Sequence, residues 1–276
     1  MIISIASGKG GTGKTTIAVS LASVISGSVY LDCDVEEPNG HILLRPEFHK
    51  EIPSVKMIPI IDYSKCNFCG KCVEVCEFNA MINLGSEIIL FDEMCNGCGA
   101  CEYFCPEKAI TESEKIVGFV REGISEVNKI EFYDGVLNIG EASASPLIKD
   151  VKKKIQKDKL NIIDAPPGTS CSMVEAVRNS DYCILVTEPN PFGFHDLKLA
   201  VAVLRILNIP FSVVINKYEE SFAELELYLN SEQINILIKI PFDRQIANDY
   251  SYGIIPALTS KYMKEGSKDI IKQISV

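Results

Sequence analysis

Most of this fold is decided by the stretch Gly8-Lys9-Gly10-Gly11-Thr12-Gly13-Lys14-Thr15-Thr16. From Gly8 to Thr15 it matches G-x4-G-K-[ST], and it follows an apolar run at 2–6 that predicts a strand. The glycines let backbone N–H groups close around phosphate oxygens, and a helix predicted over about 14–26 directs its positive end toward them. We expect Lys14 to reach the β- and γ-phosphates and Thr15 to hold Mg²⁺. A glycine-rich turn without nucleotide is the weaker interpretation.

A second predicted strand and turn carry an acidic residue that could act together with the phosphate loop. The run 160–164 is apolar and ends in Asp164, and a glycine turn follows at Gly168. This pattern is typical of a Walker B strand and a second switch. Asp164 is expected to contact Mg²⁺ through a water molecule, and the Gly168 N–H to sense the γ-phosphate. Another predicted strand, 28–32, precedes Asp34.

The rest of the C-terminal half alternates strands and helices. Strands are predicted at 181–187, 210–215 and 234–240, and helices at about 193–207, about 219–230 and from about 259. This alternation predicts a doubly wound, mostly parallel α/β sheet with nucleotide at the carboxyl edge of its strands. Between the halves, a helix is predicted from 145 to about 157, and Tyr133-Asp134-Gly135 predicts a hairpin turn.

Composition limits the possible partners. The chain has 276 residues, 47% hydrophobic and 23% charged, with a net charge of −10. An acidic protein binds nucleic acid poorly, because that affinity comes mainly from Lys and Arg neutralising phosphates. We expect no membrane anchor, since no stretch approaches the roughly 20 apolar residues of a span and the last helix is not strongly basic. Eleven cysteines without a signal peptide favour metal or redox work in the cytoplasm.

Eight of the cysteines form two C-x2-C-x2-C-x3-C runs. They are Cys66, Cys69, Cys72 and Cys76, then Cys95, Cys98, Cys101 and Cys105. This is the bacterial ferredoxin spacing, in which the fourth cysteine of each run ligates the other [4Fe–4S] cluster. One cluster is therefore predicted on Cys66, Cys69, Cys72 and Cys105, and the other on Cys95, Cys98, Cys101 and Cys76. Structural zinc would need cysteine pairs separated by longer gaps.

The cysteine runs belong to a predicted small α+β ferredoxin domain at 62–112. It separates two parts of the P-loop ATPase domain, 1–61 and 113–276. Between the runs, residues 80–91 predict a hairpin turning at Gly85-Ser86. Glu77 stands where ferredoxins usually have proline, which removes no ligand. A module this small depends on its metal for stability.

The phosphate loop also carries a family resemblance. Its form G-K-G-G-x-G-K-T-T, with an additional lysine at Lys9, resembles the deviant Walker A ATPases of the MinD, ParA, Mrp and nitrogenase iron protein type. The sequence from Asp164 to Thr169 resembles the Mrp branch. The resemblance covers both flanks of the cysteine segment, about four-fifths of the chain. It implies a nucleotide-dependent dimer, of two copies or with a paralogue, in which Lys9 reaches the partner's nucleotide.

The resemblance implies further roles. Asp34 lies where the family has its first switch, near the γ-phosphate and attacking water, although an aspartate after a strand also caps loops. Asn216 is similar to the purine-binding position, and Pro241 lies on the same rim. Strand-end asparagine is also common in turns. Cys171 lies in the region where nitrogenase iron protein relatives have a cysteine that ligates a cluster bridging the dimer. We favour a small buried cysteine instead, with Cys33 and Cys183 in the core.

Together these features predict a Mg²⁺-dependent ATPase with Lys9, Lys14, Asp34 and Asp164 as catalytic residues. ATP and ADP would switch a dimer, and the two clusters would transfer electrons to an unidentified redox partner. The alternative is an Mrp-type, ATP-dependent carrier or assembly factor for iron–sulfur clusters or metallocentres. Such relatives use a labile C-x-x-C near the C-terminus, whereas no cysteine follows Cys183 here.

Overall fold

A computed structural model describes residues 1–219 and 222–274. Within these ranges the strands are β1 (Ile2–Ala6), β2 (Val29–Asp32), β3 (Pro46–Ile61), β4 (Met81–Asn83), β5 (Ile88–Leu90), β6 (Ile110–Ser125), β7 (Glu131–Leu137), β8 (Asn161–Asp164), β9 (Tyr182–Thr187), β10 (Phe211–Tyr218) and β11 (Ile236–Pro241). The helices are α1 (Lys14–Ser23), α2 (Gly40–Leu44), α3 (Lys71–Glu74), α4 (Ala100–Tyr103), α5 (Ser145–Lys152), α6 (Cys171–Val177), α7 (Pro191–Ile206), α8 (Ala223–Ser231), α9 (Arg244–Ser251), α10 (Pro256–Thr259) and α11 (Lys261–Ile274).

The main sheet has the strand order β11-β10-β9-β1-β8-β2-β7-β6-β3 in the described chain. Every neighbouring pair from β11 to β7 is parallel, whereas β6 and β3 run antiparallel at one edge. The central strands are short, apolar and buried on both faces, as parallel strands between two helix layers must be. The predicted mostly parallel α/β sheet is confirmed.

The two faces of the sheet have separate cores, because successive side chains of a strand point to opposite faces. On one face, Leu31 and Ile163 pack with residues of α5, α6 and α7. On the other, Ile3 and Ile5 pack with residues of α1 and α11. Burying one such side chain contributes about 1.5–3 kcal/mol relative to leaving it exposed. These two layers hold the carboxyl ends of β1, β2 and β8 in fixed positions.

An antiparallel ribbon extends from the edge of the sheet. β3 and β6 have 16 residues each and pair from Pro46↔Ser125 to Ile61↔Ile110. β7 pairs only with residues 118–124 of β6. The remaining length of the ribbon therefore projects beyond β7. Residues 62–109, here called the cysteine tip, connect its two far strand ends. The C-terminal boundary predicted for the ferredoxin domain, residue 112, lies within β6.

The hairpin in the cysteine tip is confirmed, because β4 pairs antiparallel with β5 around Gly85. The hairpin turn predicted at Tyr133–Gly135 is wrong, since these residues lie inside β7. Asp134 is fully buried and its carboxylate pairs with Arg121, while a side chain at position 135 would collide with Leu147. The chain instead turns at 126–130, between β6 and β7.

Several helix boundaries also differ from prediction. α1 ends at Ser23 and α5 at Lys152, both earlier than expected, and α11 begins at Lys261. Helix α8 begins at Ala223, and residues 220–221 of its predicted start lie outside the described residues. Helix α9 has no predicted counterpart. It lies after β11 and contributes Tyr250 to the cleft described next.

Candidate functional site

The phosphate loop joins β1 to α1 at the carboxyl edge of the sheet. Gly13 precedes Lys14, the first residue of α1, with a φ of 93°, a backbone conformation that glycine adopts without strain. A cleft of about 380 Å³ opens above the loop, which is large enough for a small-molecule ligand. It is lined by Gly10, Gly11, Gly13, Lys14, Thr15, Thr16, Asp34, Glu37, Asn39, Pro167, Asn216, Lys217, Pro241, Phe242, Asp243, Ile246, Ala247 and Tyr250.

The structure brings Lys14 and Asp34 together at this cleft, with the buried Asp164 near enough for its charge to interact with both. Lys14 is 6% exposed, and its positive charge lowers the pKa of both carboxyl groups. Burial outweighs this effect: it raises the pKa of Asp34 to about 6 and also raises the pKa of Asp164. A partly protonatable carboxyl beside a lysine is the arrangement expected where a further cation or phosphate binds.

Asp164 has one satisfied and one free oxygen. Its Oδ2 accepts a 3.0 Å hydrogen bond from Tyr30, whereas Oδ1 is buried and has no partner among the described residues. Burial raises the pKa of Asp164, and the nearby Lys14 and Thr15 side chains oppose that shift. A buried, unpaired carboxylate oxygen beside a threonine hydroxyl is a suitable donor set for hydrated Mg²⁺. Tyr30 is a functional candidate that sequence analysis missed, because its position in an apolar strand gives no signal.

The loop that carries Asp34 is organised by Asp32, the last residue of β2. Asp32 is fully buried, and its carboxylate accepts hydrogen bonds from the Gly40 and Asp34 amides at 2.9 and 3.2 Å. Burial and the charge of Asp164 raise its pKa. Asp32 therefore holds the loop in place, while Asp34 points its partly exposed carboxyl into the cleft.

Lys9 lies away from Lys14 and pairs within its own chain. Its Nζ lies 3.3 Å from Glu188 Oε2, and Lys217 Nζ lies 2.6 Å from the other oxygen of the same carboxylate. Burial opposes the charge on Glu188, but Lys217, Asn190 and Lys9 together lower its pKa. Any role for Lys9 in a partner subunit would require this ion pair to open.

The second switch is held to the phosphate loop by a backbone hydrogen bond. The Gly168 N–H donates to the Ser7 carbonyl at 3.0 Å, with Gly168 at a φ of 87°. The loop then leads into α6, which begins at Cys171. In this conformation the Gly168 N–H is already paired, so contact with a γ-phosphate would break the bond to Ser7.

The far side of the cleft provides a surface for a base. Asn216 donates from Nδ2 to the Thr12 carbonyl at 2.8 Å, which fixes it beneath the loop. Pro241, Phe242 and Tyr250 line the same side. Aromatic and apolar walls with one fixed amide suit a planar purine. Asn216 and Pro241 both line the cleft, and their contact with a purine stays a prediction. Tyr250 of α9 had no recognisable motif.

The eight clustered cysteines line two separate cavities in the cysteine tip. Cys66, Cys69, Cys72 and Cys105, here called the distal set, share one cavity with Ile61 and Ile110 at the end of the ribbon. The proximal set shares the other with Met57, Pro59 and Glu112, closer to the main sheet; it comprises Cys76, Cys95, Cys98 and Cys101. Each cavity therefore contains three cysteines of one run and the fourth of the other.

The two halves of the tip have matching local structure. Short helices α3 and α4 each follow a left-handed glycine, Gly70 with φ 77° and Gly99 with φ 72°. Backbone amides donate to the last sulfur of each run, from Ala80 to Cys76 and from Ala109 to Cys105, both at 3.3 Å. These sulfurs are thus placed as hydrogen-bond acceptors, the role that thiolate ligands have.

The described cysteine tip contains no site with the ligand geometry of a single metal ion. Across 1–219 and 222–274, no group of three or more His, Cys, Asp or Glu side chains is placed to hold one metal ion. Of the remaining cysteines, Cys33 and Cys183 are buried as predicted, and burial raises the pKa of Cys183 to about 12. The prediction that Cys171 is buried is wrong. It is exposed, because it begins α6 directly after the switch loop.

Family comparison identifies the nucleotide domain. The family model of the CobQ/CobB/MinD/ParA nucleotide binding domain matches residues 3–257. The chain belongs to this family. Two relatives in Methanocaldococcus jannaschii span nearly the same length: the uncharacterized protein MJ0579 is 30% identical, covering 92% of this chain and 90% of its own. The uncharacterized protein MJ0578 is 31% identical, covering 99% and 96%.

Solved structures share the fold of this family member. MinD of Pyrococcus horikoshii, complexed with Mg-ADP, has a TM-score of 0.60 at 18% identity, covering 99% of this chain and 93% of that one. McdA of Cyanothece, in its apo form, has a TM-score of 0.59 at 14% identity, covering 100% and 99%. Among the described helices, none has the length and apolar character needed to cross a bilayer.

Proposed function

We propose that this family member hydrolyses ATP with Mg²⁺ and couples the nucleotide state of a dimer to electron transfer through two [4Fe–4S] clusters. The observation that carries the proposal is the division of eight cysteines into two sets of four. Each set lines its own cavity, on a ribbon continuous with the sheet that carries the phosphate loop. A redox module and a phosphate sensor therefore share one structural framework.

In the nucleotide cleft, each residue has a distinct part. Lys14 neutralises phosphate charge, and the loop amides at the start of α1 bind phosphate oxygens. Thr15 and Asp164 Oδ1 would hold hydrated Mg²⁺. Asp34, with its carboxyl facing the cleft, orients the attacking water and accepts its proton. The complex of a MinD structure with Mg-ADP supports this assignment by similarity of fold.

The dimer part of the proposal concerns Lys9. Its resemblance to the signature lysine of deviant Walker A ATPases implies that it binds the partner's nucleotide. In the present conformation Glu188 holds it within its own chain. ATP binding and dimerisation would exchange Glu188 for phosphate, which offers more negative charge. Binding of ATP would also replace the hydrogen bond from the Gly168 N–H to the Ser7 carbonyl by one to the γ-phosphate.

In the cysteine tip, the donor set fits iron–sulfur clusters better than a single ion. A tetrahedral metal needs its ligands converging on one point, whereas a [4Fe–4S] cluster takes one cysteine per iron. Four cysteines around a cavity, with no single-ion site among the described residues, match the second requirement. The bound clusters would supply one-electron redox chemistry. The amides of Ala80 and Ala109 would stabilise the reduced state by hydrogen bonds to sulfur.

The proposal is tested by redox titration of anaerobically reconstituted protein. We expect about eight iron atoms per chain, and midpoint potentials and electron-transfer rates that differ between ADP and a non-hydrolysable ATP analogue. Unchanged potentials and rates would overturn the coupling. Zinc in place of iron would overturn the redox function. Transfer of iron and sulfide to an apo-ferredoxin would instead favour the alternative function of a cluster carrier, whereas retention favours electron transfer.

A further inference from the structure

The loop and helix from Glu141 to Lys152, here called the coupling segment, begin at the cysteine tip. Glu141 has a side chain only 4% exposed, and its two oxygens accept from Lys56 at 2.7 Å and Lys115 at 2.6 Å. Lys115 also pairs with Asp92 at 2.9 Å, just before the second cysteine run. One buried carboxylate thus binds both strands of the ribbon to the coupling segment, and removing it would leave a buried lysine without its partner.

A second contact reaches the loop of the proximal set. Ser143 Oγ donates to Asn96 Oδ1 at 2.7 Å, and Asn96 directly follows Cys95. The next residue, Gly97, packs against the Met57 backbone so closely that a Cβ would lie 2.9 Å from the carbonyl oxygen. The ribbon holds one side of this loop, and Ser143 holds the other. A shift of Ser143 would therefore move a cluster-binding loop that has little room to adjust.

The other end of the coupling segment is fixed to α6. Lys152 Nζ donates to the carbonyls of Glu175 and Arg178, both at 2.6 Å, and so caps the C-terminal end of that helix. Between the two ends, Asp150 accepts a 2.6 Å hydrogen bond from Ser54 on the ribbon. Lys152 is thus used internally and is not part of a free basic surface.

Helix α6 begins where the second switch ends. The Gly168 N–H donates to the Ser7 carbonyl, and the γ-phosphate contact proposed above would replace that hydrogen bond. Either choice sets the position of Ser170, the residue that precedes α6. Discrete alternatives of this kind are what a physical coupling between two sites requires.

We propose that the coupling segment transmits the nucleotide state from α6 to the proximal set, with Lys152 and Ser143 as positioning residues. This rests on the proposed function and specifies its regulation. ATP would draw the switch loop toward phosphate and displace α6, and Lys152 would carry that displacement into α5. Ser143 and Glu141 would then change the hydrogen bonding and exposure of the loop 95–98, which are the quantities that set a cluster potential.

The test uses full-length, reconstituted protein and two variants, Ser143→Ala and Lys152→Met. The control is Lys153→Met, a neighbouring lysine just after α5 that is 75% exposed and, among the described residues, forms an ion pair only with Asp150. Midpoint potentials are measured by spectroscopic redox titration in ADP and in a non-hydrolysable ATP analogue. Hydrogen exchange of residues 92–98 is measured in the same two states.

Wild type and Lys153→Met should show the full nucleotide-dependent difference in both measurements. Ser143→Ala and Lys152→Met should reduce it roughly twofold or more, with iron content and ATP hydrolysis retained. Ser143→Ala removes one hydroxyl and is expected to fold. If Lys152→Met does not fold, Ser143→Ala alone tests the coupling segment. A full difference in Ser143→Ala would overturn the coupling segment while the proposed function stands. No difference in wild type would overturn both.

Discussion

The nucleotide-binding sheet and the cysteine tip are stabilised in different ways. The sheet has two continuous cores, and side chains such as Ile3, Ile5 and Ile163 are fully buried. The tip has a small buried cluster, in which its residues Cys72, Met81 and Ile88 pack with Ile110 of β6. So few buried side chains do not offset the backbone entropy of 48 ordered residues, from 62 to 109. The comparison teaches that apolar burial holds the sheet together, whereas the tip has too small a core of its own and, under the proposed function, would depend on its clusters.

The largest expected effect comes from removing the clusters. Chelation of iron under anaerobic conditions should lower the hydrogen-exchange protection of residues 62–109 by about 10³-fold or more, because metal-binding free energy becomes folding free energy in such modules. Protection of β1 and β8 should change little. Equal loss of protection in both regions would show that the sheet also depends on the clusters.

The second largest effect is expected from a substitution in the phosphate loop, which should affect the sheet and leave the tip unchanged. Lys14→Ala should lower ATP hydrolysis by about 10²–10³-fold, since it removes a cation aimed at developing phosphate charge. Iron content and the visible spectrum of the tip should be unchanged. Lys198→Ala, an exposed lysine on α7, is the control, and we expect wild-type activity for it. Loss of iron in Lys14→Ala would contradict the independence of the two regions.

An Ile→Ala substitution in the sheet or in the tip should lower the stability of that region alone. Ile5→Ala removes a fully buried side chain from the sheet and should lower its free energy of unfolding by about 2–5 kcal/mol. Ile88→Ala, at a position 3% exposed in the tip, should leave the unfolding of the sheet unchanged. Both are measured by denaturant titration of the reconstituted protein. A matching destabilisation by Ile88→Ala would make the tip part of the sheet's cooperative unit.

The smallest effect concerns pH. Burial raises the pKa of Asp34 to about 6, so its carboxyl is increasingly protonated as the pH falls through that value. If the carboxylate accepts the proton of the attacking water, hydrolysis should fall about tenfold per pH unit below it. Asp34→Asn should lower the rate and remove this acidic limb. Glu37→Gln, at the same cleft, should retain it, and an acidic limb in Asp34→Asn would exclude Asp34 as the titrating base.

Sequence motifs predicted those elements whose backbone conformation depends on neighbouring residues in the chain. The phosphate loop, the strand ending in Asp164 and the hairpin around Gly85 are short sequences with one favoured backbone, and the structure contains each of them. The mostly parallel sheet followed from the alternation of strands and helices. The division of the cysteines between two cavities agrees with the ferredoxin spacing.

Features set by distant contacts escaped prediction. Tyr133-Asp134-Gly135 has the composition of a turn, but Arg121 neutralises the buried Asp134 and keeps the segment in a strand. The exposure of Cys171 depends on where the switch loop ends. Tyr30 and Tyr250 carry no motif, and their positions beside the cleft exist only once β2 and α9 have packed. These contacts join residues far apart in sequence.

The pairing of Ile61 with Ile110 has an evolutionary consequence. Because the two strand ends face each other, the 48 residues between them enter and leave the sheet at a single point. A tight Asn-Gly turn would close the same gap and restore an ordinary hairpin. A segment can therefore be inserted, exchanged or lost at this point without changing the pairing of the parallel strands that carry the phosphate loop.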